Sequence, residues 1–179
     1  MKLVGISGSL VGTKTSKAVH DVLTAARKYS ADIQVELIDL KEYDVEFVRG
    51  TPLTYYNHDT VNVVNKIAAA DILLFGTPIY QASITGALKN VLDHFPVDAF
   101  KGKVTGMITT AGTDKHFLVP EYQLRPILTY LKGTVPTGNV FIQNDQFDDD
   151  NEIINTNVKM RIEKLAEEMI NLKRKLDRE

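Results

Sequence analysis

Asp71-Ile72-Leu73-Leu74-Phe75-Gly76-Thr77-Pro78-Ile79-Tyr80 decides the fold. Ile72 to Phe75 is a short, unbroken apolar run that stops at a glycine. A strand with one wet face would alternate; a continuous run marks a strand buried on both faces. Such strands belong to parallel sheets, so helices should flank this one on either side of it in sequence. Helical periodicity is expected upstream over 60–70 and downstream over 83–94, where Ala87, Leu88, Val91 and Leu92 offer apolar surface to the core or to a dimer interface.

Further outward the alternation continues. The N-terminal run 2–7 predicts a first buried strand, and Val19, Val22, Leu23 and Ala26 share one face of a helix over 16–29. Ile33, Val35 and Leu37 predict a second strand over 33–40, followed by 41–59, which is polar, aromatic and interrupted by Pro52. A fourth strand is expected over 103–110. A helix over 120–131 should be kinked by Pro126, and a fifth strand is expected over 135–143. From 152 onward Ile154, Val158, Ile162, Leu165, Met169 and Leu172 mark one face of a closing helix. Five buried strands with intervening helices predict an α/β, doubly wound parallel sheet with helices on both faces, in a single domain spanning 1–179.

Composition narrows the function. With 21 basic against 23 acidic residues the formal charge is −2, and no basic stripe is present, which argues against nucleic acid. The same near-neutral charge argues against a pure electron carrier, since carriers use strong acidity to steer toward basic partners. Cysteine is absent, so disulfides, thiolate metal sites and a cysteine nucleophile are excluded. His20, His58, His94 and His116 have neither metal nor triad spacing, and Asp148-Asp149-Asp150 reads as a solvated loop. The first apolar run is too short for a signal peptide and no stretch reaches the ~20 apolar residues of a membrane span, so a cytoplasmic protein is expected.

Parallel sheets of this kind bind ligands beyond the carboxyl ends of their strands. Three loops fall there. Gly8-Ser9-Leu10-Val11-Gly12-Thr13-Lys14-Thr15-Ser16-Lys17 offers the hydroxyls of Ser9, Thr13, Thr15 and Ser16 and leads into a helix N-terminus, which together suit a phosphate. A plainer reading of the same residues has Thr15 or Ser16 capping the helix and Gly8 permitting a turn. The spacing is neither that of a Walker A loop nor of G-x-G-x-x-G. Thr77-Pro78-Ile79-Tyr80 exposes a backbone edge beside an aromatic ring, with Ser83 close behind. Thr110-Ala111-Gly112-Thr113 is small enough for backbone N–H groups to approach a ligand closely. Each loop alone has an ordinary structural explanation; three at one sheet edge favour a flat, phosphorylated ligand.

Gly8-Ser9-Leu10 with Ser16, Thr77-Pro78-Ile79-Tyr80 running to Gly86-Ala87-Leu88-Lys89-Asn90, and Thr110-Ala111-Gly112-Thr113 resemble the NAD(P)H-dependent FMN reductases, over roughly 1–145. Within that family, 118–128 with Tyr122 and Pro126 looks most like the reductases that feed alkanesulfonate monooxygenases. The resemblance implies a flavodoxin-like sheet of order 2-1-3-4-5, with FMN and NADPH or NADH as the redox molecules. It implies that Ser9 and Ser16, with the loop backbone, hold the FMN phosphate, and the hydroxyls of Thr13 and Thr15 are further candidate cofactor contacts. Pro78, Ile79 and Tyr80 would line the isoalloxazine, and Ala111, Gly112 and Thr113 its pyrimidine edge, with Ser83 a further candidate cofactor contact. Tyr122, in a π-type distortion, would border the flavin and tune its release. Val11 stands where the family often carries Arg, which leaves Lys14 or Lys17 to supply that charge. The resemblance also implies a homodimer or homotetramer, and a flavin-dependent monooxygenase as partner. An FMN-bound quinone or azo-compound reductase and a flavodoxin-type carrier are the alternatives.

Overall fold

The computed structural model describes residues 1–178. Its elements in chain order are β1 (Lys2–Ser7), α1 (Lys14–Tyr29), β2 (Gln34–Asp39), α2 (His58–Ala68), β3 (Ile72–Pro78), α3 (Gly86–Asp93), β4 (Val104–Ala111), a π-turn (Pro120–Leu124), α4 (Arg125–Tyr130), β5 (Val140–Gln143) and α5 (Thr156–Leu176). The strands form one parallel sheet in the order β2-β1-β3-β4-β5. This is the flavodoxin-like order, with its topological switch between β1 and β3.

Every residue of β3 and β4 is buried, which is why their sequences carry no alternation. One face of the sheet packs against α1 and α5, through Val19, Val22, Leu23, Val158, Ile162, Leu165 and Met169. The other packs against α2, α3 and α4, through Val63, Ile67, Leu88, Val91 and Leu128. Each such aliphatic side chain contributes about 1.5–3 kcal/mol on burial. Leu88, Val91 and Leu92 are therefore spent on the chain's own core, and α3 does not present them as a subunit interface. On α5 the face runs from Val158; Ile154, which precedes the helix, is exposed, and its neighbour Ile153 is buried instead.

Several boundaries differ from expectation for identifiable reasons. β3 continues to Pro78, paired with Thr110, so the proline ends the strand rather than beginning the turn. α3 starts at Gly86 because Thr85 caps it, accepting the Leu88 N–H at 3.2 Å. β5 begins only at Val140, since Pro136 and Thr137 turn their carbonyls toward Arg125 instead of a neighbouring strand. Pro126 has no N–H to return to the carbonyl of Tyr122. Just upstream the chain adopts π spacing, with the Arg125 N–H on the Pro120 carbonyl, before α4 resumes. The stretch between β2 and α2 forms no strand; it is held by side chains. Asp59 accepts from the Asp44 N–H at 2.9 Å, Thr60 from Glu46 at 2.9 Å, Asn90 from Val48 at 3.2 Å and the Tyr56 hydroxyl from Arg49 at 2.7 Å. Among the described residues no helix is long and apolar enough to cross a membrane.

Candidate functional site

The loops after β1, β3 and β4 meet at the carboxyl edge of the sheet and are braced against one another. Gly8 N–H donates to the Gly76 carbonyl at 2.7 Å, and Ile79 N–H to the Thr110 carbonyl at 2.9 Å. The Thr85 hydroxyl donates to the Gly8 carbonyl at 2.6 Å, and the hydroxyls of Thr15 and Thr110 share a 2.9 Å hydrogen bond. Between them lies a cleft of about 300 Å³, the small end of ordinary ligand sites.

Ser9, Thr13, Thr15, Pro78, Ile79, Tyr80, Ala111 and Gly112 line this cleft, joined by Val11, Gly12, Lys14 and Thr110. Ser16, Ser83, Thr113 and Tyr122 do not. The Ser16 hydroxyl donates to the Thr13 carbonyl at 3.0 Å and faces a neighbouring groove with Lys17 and His20. Ser83 donates to Gln123 at 2.5 Å, and Thr113 caps the short turn that follows it. Tyr122 is 74% exposed within the π-turn. Asn144 and Asn151 also line the cleft, though sequence reasoning missed them. Asn144 follows β5, so the strand-end rule extended to the fifth strand would have found it. Asn151 lies in the turn where Asp148 accepts the Asp150 and Glu152 N–H groups, and no local pattern marks it.

The end of the cleft at the start of α1 has a consistent electrostatic design. Thr13 is the N-cap of α1 but makes no side-chain capping bond, and the first turn holds no acidic residue. The helix's free N–H groups and partial positive charge thus remain available to an anion. Lys14 lies on the cleft wall, its ammonium 5.3 Å from the Phe147 ring centroid and 3.4 Å from the Asn144 carbonyl. Lys17 instead pairs with Glu152, and Lys41 in the adjoining groove pairs with Asp39 at 3.0 Å. Charge compensation there leaves Lys14, among the described residues, as the cation facing the cleft. Val11, 74% exposed at the rim, supplies none. These hydroxyls, N–H groups and the ammonium fit a phosphate monoester, and Ile79 and Tyr80 supply an apolar and an aromatic surface for a flat ring.

The π-turn is fastened beside this cleft. Glu121 accepts two hydrogen bonds from Arg125, at 2.5 and 3.0 Å, and another from Asn139, while Arg125 also donates to the Pro136 carbonyl at 3.0 Å. The Arg125 guanidinium holds the Glu121 carboxyl below the usual carboxylate range. A carboxyl lowered on folding stabilises the fold above its unfolded pKa, and that stabilisation fades as pH falls through the folded value. Glu121→Gln should therefore lower the thermal midpoint at pH 7 by about 2–4 °C, the equivalent of roughly 1 kcal/mol in a chain of this size. The difference between the two melting curves should shrink as pH falls below the ordinary glutamate range toward the lowered folded value; an equal difference at pH 7 and pH 3 would refute the assignment.

Residues 1–148 match the family described as NADPH-dependent FMN reductase. An NAD(P)H-dependent FAD/FMN reductase of Geobacillus thermodenitrificans is 42% identical over 172 residues, covering 96% of this chain and 93% of the relative. An FMN-dependent NADPH-azoreductase of Staphylococcus aureus is 36% identical over 116 residues, 63% of this chain and 61% of the relative. Among solved structures, the apo form of the NADH:FMN oxidoreductase EmoB superimposes with a TM-score of 0.77 at 28% identity, covering 94% of this chain and 89% of that one.

Proposed function

This chain belongs to the family of NADPH-dependent FMN reductases, and on that premise we propose that the cleft after β1, β3 and β4 is where FMN is held. The protein is an oxidoreductase whose redox molecules are FMN and NAD(P)H. The chemistry supplied by bound FMN is hydride acceptance from the nicotinamide, with the electrons going on to oxygen or to a flavin-dependent monooxygenase.

The chain's own part is position and electrostatics. The free N–H groups at the start of α1, the hydroxyls of Thr13 and Thr15 and the Lys14 ammonium bind the phosphate. Ser9 shapes the loop, its hydroxyl donating to the Val11 carbonyl at 2.6 Å and accepting the Val11 N–H at 3.3 Å. Ile79 and Tyr80 set one wall for the isoalloxazine, while Ala111 and Gly112 bring the backbone of small residues to the cleft for its pyrimidine edge. By fixing the ring in place, these residues would make hydride transfer from a bound nicotinamide effectively unimolecular. Ser16, Ser83, Thr113 and Tyr122 are carried in this reading as outer residues whose effect on the flavin is indirect. The observation that carries it is the cleft itself: an uncapped helix, a lysine with no carboxylate partner among the described residues, and an aromatic wall in one place.

The same reading takes 1–179 as a single domain working in the cytoplasm as a homodimer or homotetramer. The apolar surface for self-association is better supplied by exposed Phe117, Leu118 and Tyr122, leading into the π-turn, than by α3. An azo or quinone reductase that retains its FMN is the second reading, favoured by the likeness to the staphylococcal azoreductase.

The deciding assay is NADPH oxidation by flavin-stripped protein in air. Turnover that requires and saturates with added FMN supports the flavin reductase. A yellow protein that turns over only with a quinone or azo dye supports the second reading. Failure to bind FMN or oxidise either nicotinamide would remove both.

A further inference from the structure

The loop that carries Tyr80 turns back on itself through Gln81 and Ala82, with φ of 49° and 58°. Tyr80 and Ser83 exchange backbone hydrogen bonds, each 3.0 Å, which closes a two-residue hairpin. Consecutive left-handed residues define the primed turn that normally selects Asn-Gly. Gln and Ala both carry a Cβ that disfavours this conformation, so the turn is not one its own sequence prefers.

What holds it comes from the π-turn. The Gln123 side-chain N–H donates to the Ala82 carbonyl at 2.8 Å, and its carbonyl oxygen accepts the Ser83 hydroxyl at 2.5 Å. One amide thus bridges the strained residue and the hairpin's closing residue. On its other side the π-turn is anchored by Glu121, Arg125 and Asn139. Tyr80, at the other closing position of the hairpin, lines the cleft. Gln123 has no place on the cleft wall, so its influence on the flavin runs through the turn.

We propose that Gln123 is a positioning residue: it holds the Tyr80–Ser83 turn in its disfavoured conformation, so that Tyr80 forms the flavin wall and the π-turn is mechanically tied to it. This rests on the FMN-reductase reading for its functional consequence, while the clasp itself is testable without flavin.

The experiment compares wild type, Gln123→Ala, and Gln123→Ala combined with Gln81→Asn and Ala82→Gly. Hydrogen exchange at the Tyr80 and Ser83 amides is measured without flavin, and the FMN dissociation constant by fluorescence quenching. Gln123→Ala should speed exchange at both amides and weaken FMN binding about tenfold, the scale of one or two side-chain hydrogen bonds. The triple variant should bring both readouts back to within about threefold of wild type, because Asn-Gly favours the turn intrinsically. Asn-Gly replaces no contact that Gln123 makes, so a merely structural role for the glutamine would not be rescued. Unchanged exchange and affinity in Gln123→Ala, or no recovery in the triple variant, would overturn the proposal. Absence of FMN binding by wild type would overturn the reductase reading instead, leaving the exchange data to decide whether the clasp exists.

Discussion

Lys14→Glu is expected to weaken FMN binding about a hundredfold, or roughly 2.7 kcal/mol. Lys14 faces the cleft and has no carboxylate partner within salt-bridge distance among the described residues. A phosphate monoester carries close to two negative charges at neutral pH. One unit-charge pair at 4 Å is worth about 4 kcal/mol at an effective dielectric of 20, before salt screening reduces it. Reversing the lysine replaces attraction by repulsion at the mouth of a helix whose dipole already favours an anion. Lys17→Met is the control: that ammonium is engaged with Glu152 and lines the adjoining groove, so the affinity should stay within about threefold, inside ordinary surface ion-pair energies. Titration of both variants with FMN at low and moderate salt separates the cases. The wild type should lose affinity as salt rises, and Lys14→Glu should lose most of that dependence. Equal effects of the two substitutions would show that the phosphate sits elsewhere.

Gly8→Ala is expected to cost about 1–3 kcal/mol of stability, the usual range for overpacking, and to remove most FMN affinity. An added Cβ would lie 2.8 Å from the Leu88 Cβ and 3.0 Å from the Gly76 carbonyl oxygen. Neither atom can rotate away, since one is the root of a side chain and the other is backbone of β3. The loop would have to lift from α3. Lifting it breaks the 2.6 Å bond from Thr85 to the Gly8 carbonyl and the 2.7 Å bond from Gly8 to Gly76, which together hold the loop that lines the proposed phosphate site. Displacement of about 1 Å at such a site can cost a hundredfold. Gly12→Ala makes the contrast. Gly12 has φ of +72° and open space around a Cβ, so only the backbone preference is lost, about 1 kcal/mol. Denaturant unfolding of the two variants, with FMN titration of each, reads both quantities. A Gly8→Ala protein as stable as the wild type, with unchanged FMN affinity, would mean that the loop does not rest on α3 as described.

The sheet, its two helical layers and the three loops at its edge were legible in the chain. A strand buried on both faces must be apolar throughout, and a helix covering it must be apolar on one side. Those constraints act over four or five neighbouring residues, so Ile72 to Phe75 and the Val19, Val22, Leu23, Ala26 face declare themselves locally. Strand order followed from the flavodoxin-like likeness and the meeting of the three loops at one edge from the strand-end rule, and Tyr122 was rightly expected in π geometry.

Partner choice was not legible. Lys14 and Lys17 are three residues apart on one helix, and what distinguishes them is Glu152, far along the chain. Ser16 looked equivalent to Thr15 until Thr15 met Thr110 in the core and Ser16 turned to its own helix end. The stretch between β2 and α2 escaped any reading because its backbone bonds go to side chains of Asp59, Thr60, Asn90 and Tyr56 rather than to a regular ladder. The strained turn at Gln81 and Ala82 would have been rejected on local preference, and it persists beside a glutamine some forty residues away. Local preferences repeat with the period of the element and can be read from one segment. Contacts between segments close only when the sheet brings their ends together, and no spacing within either segment records them.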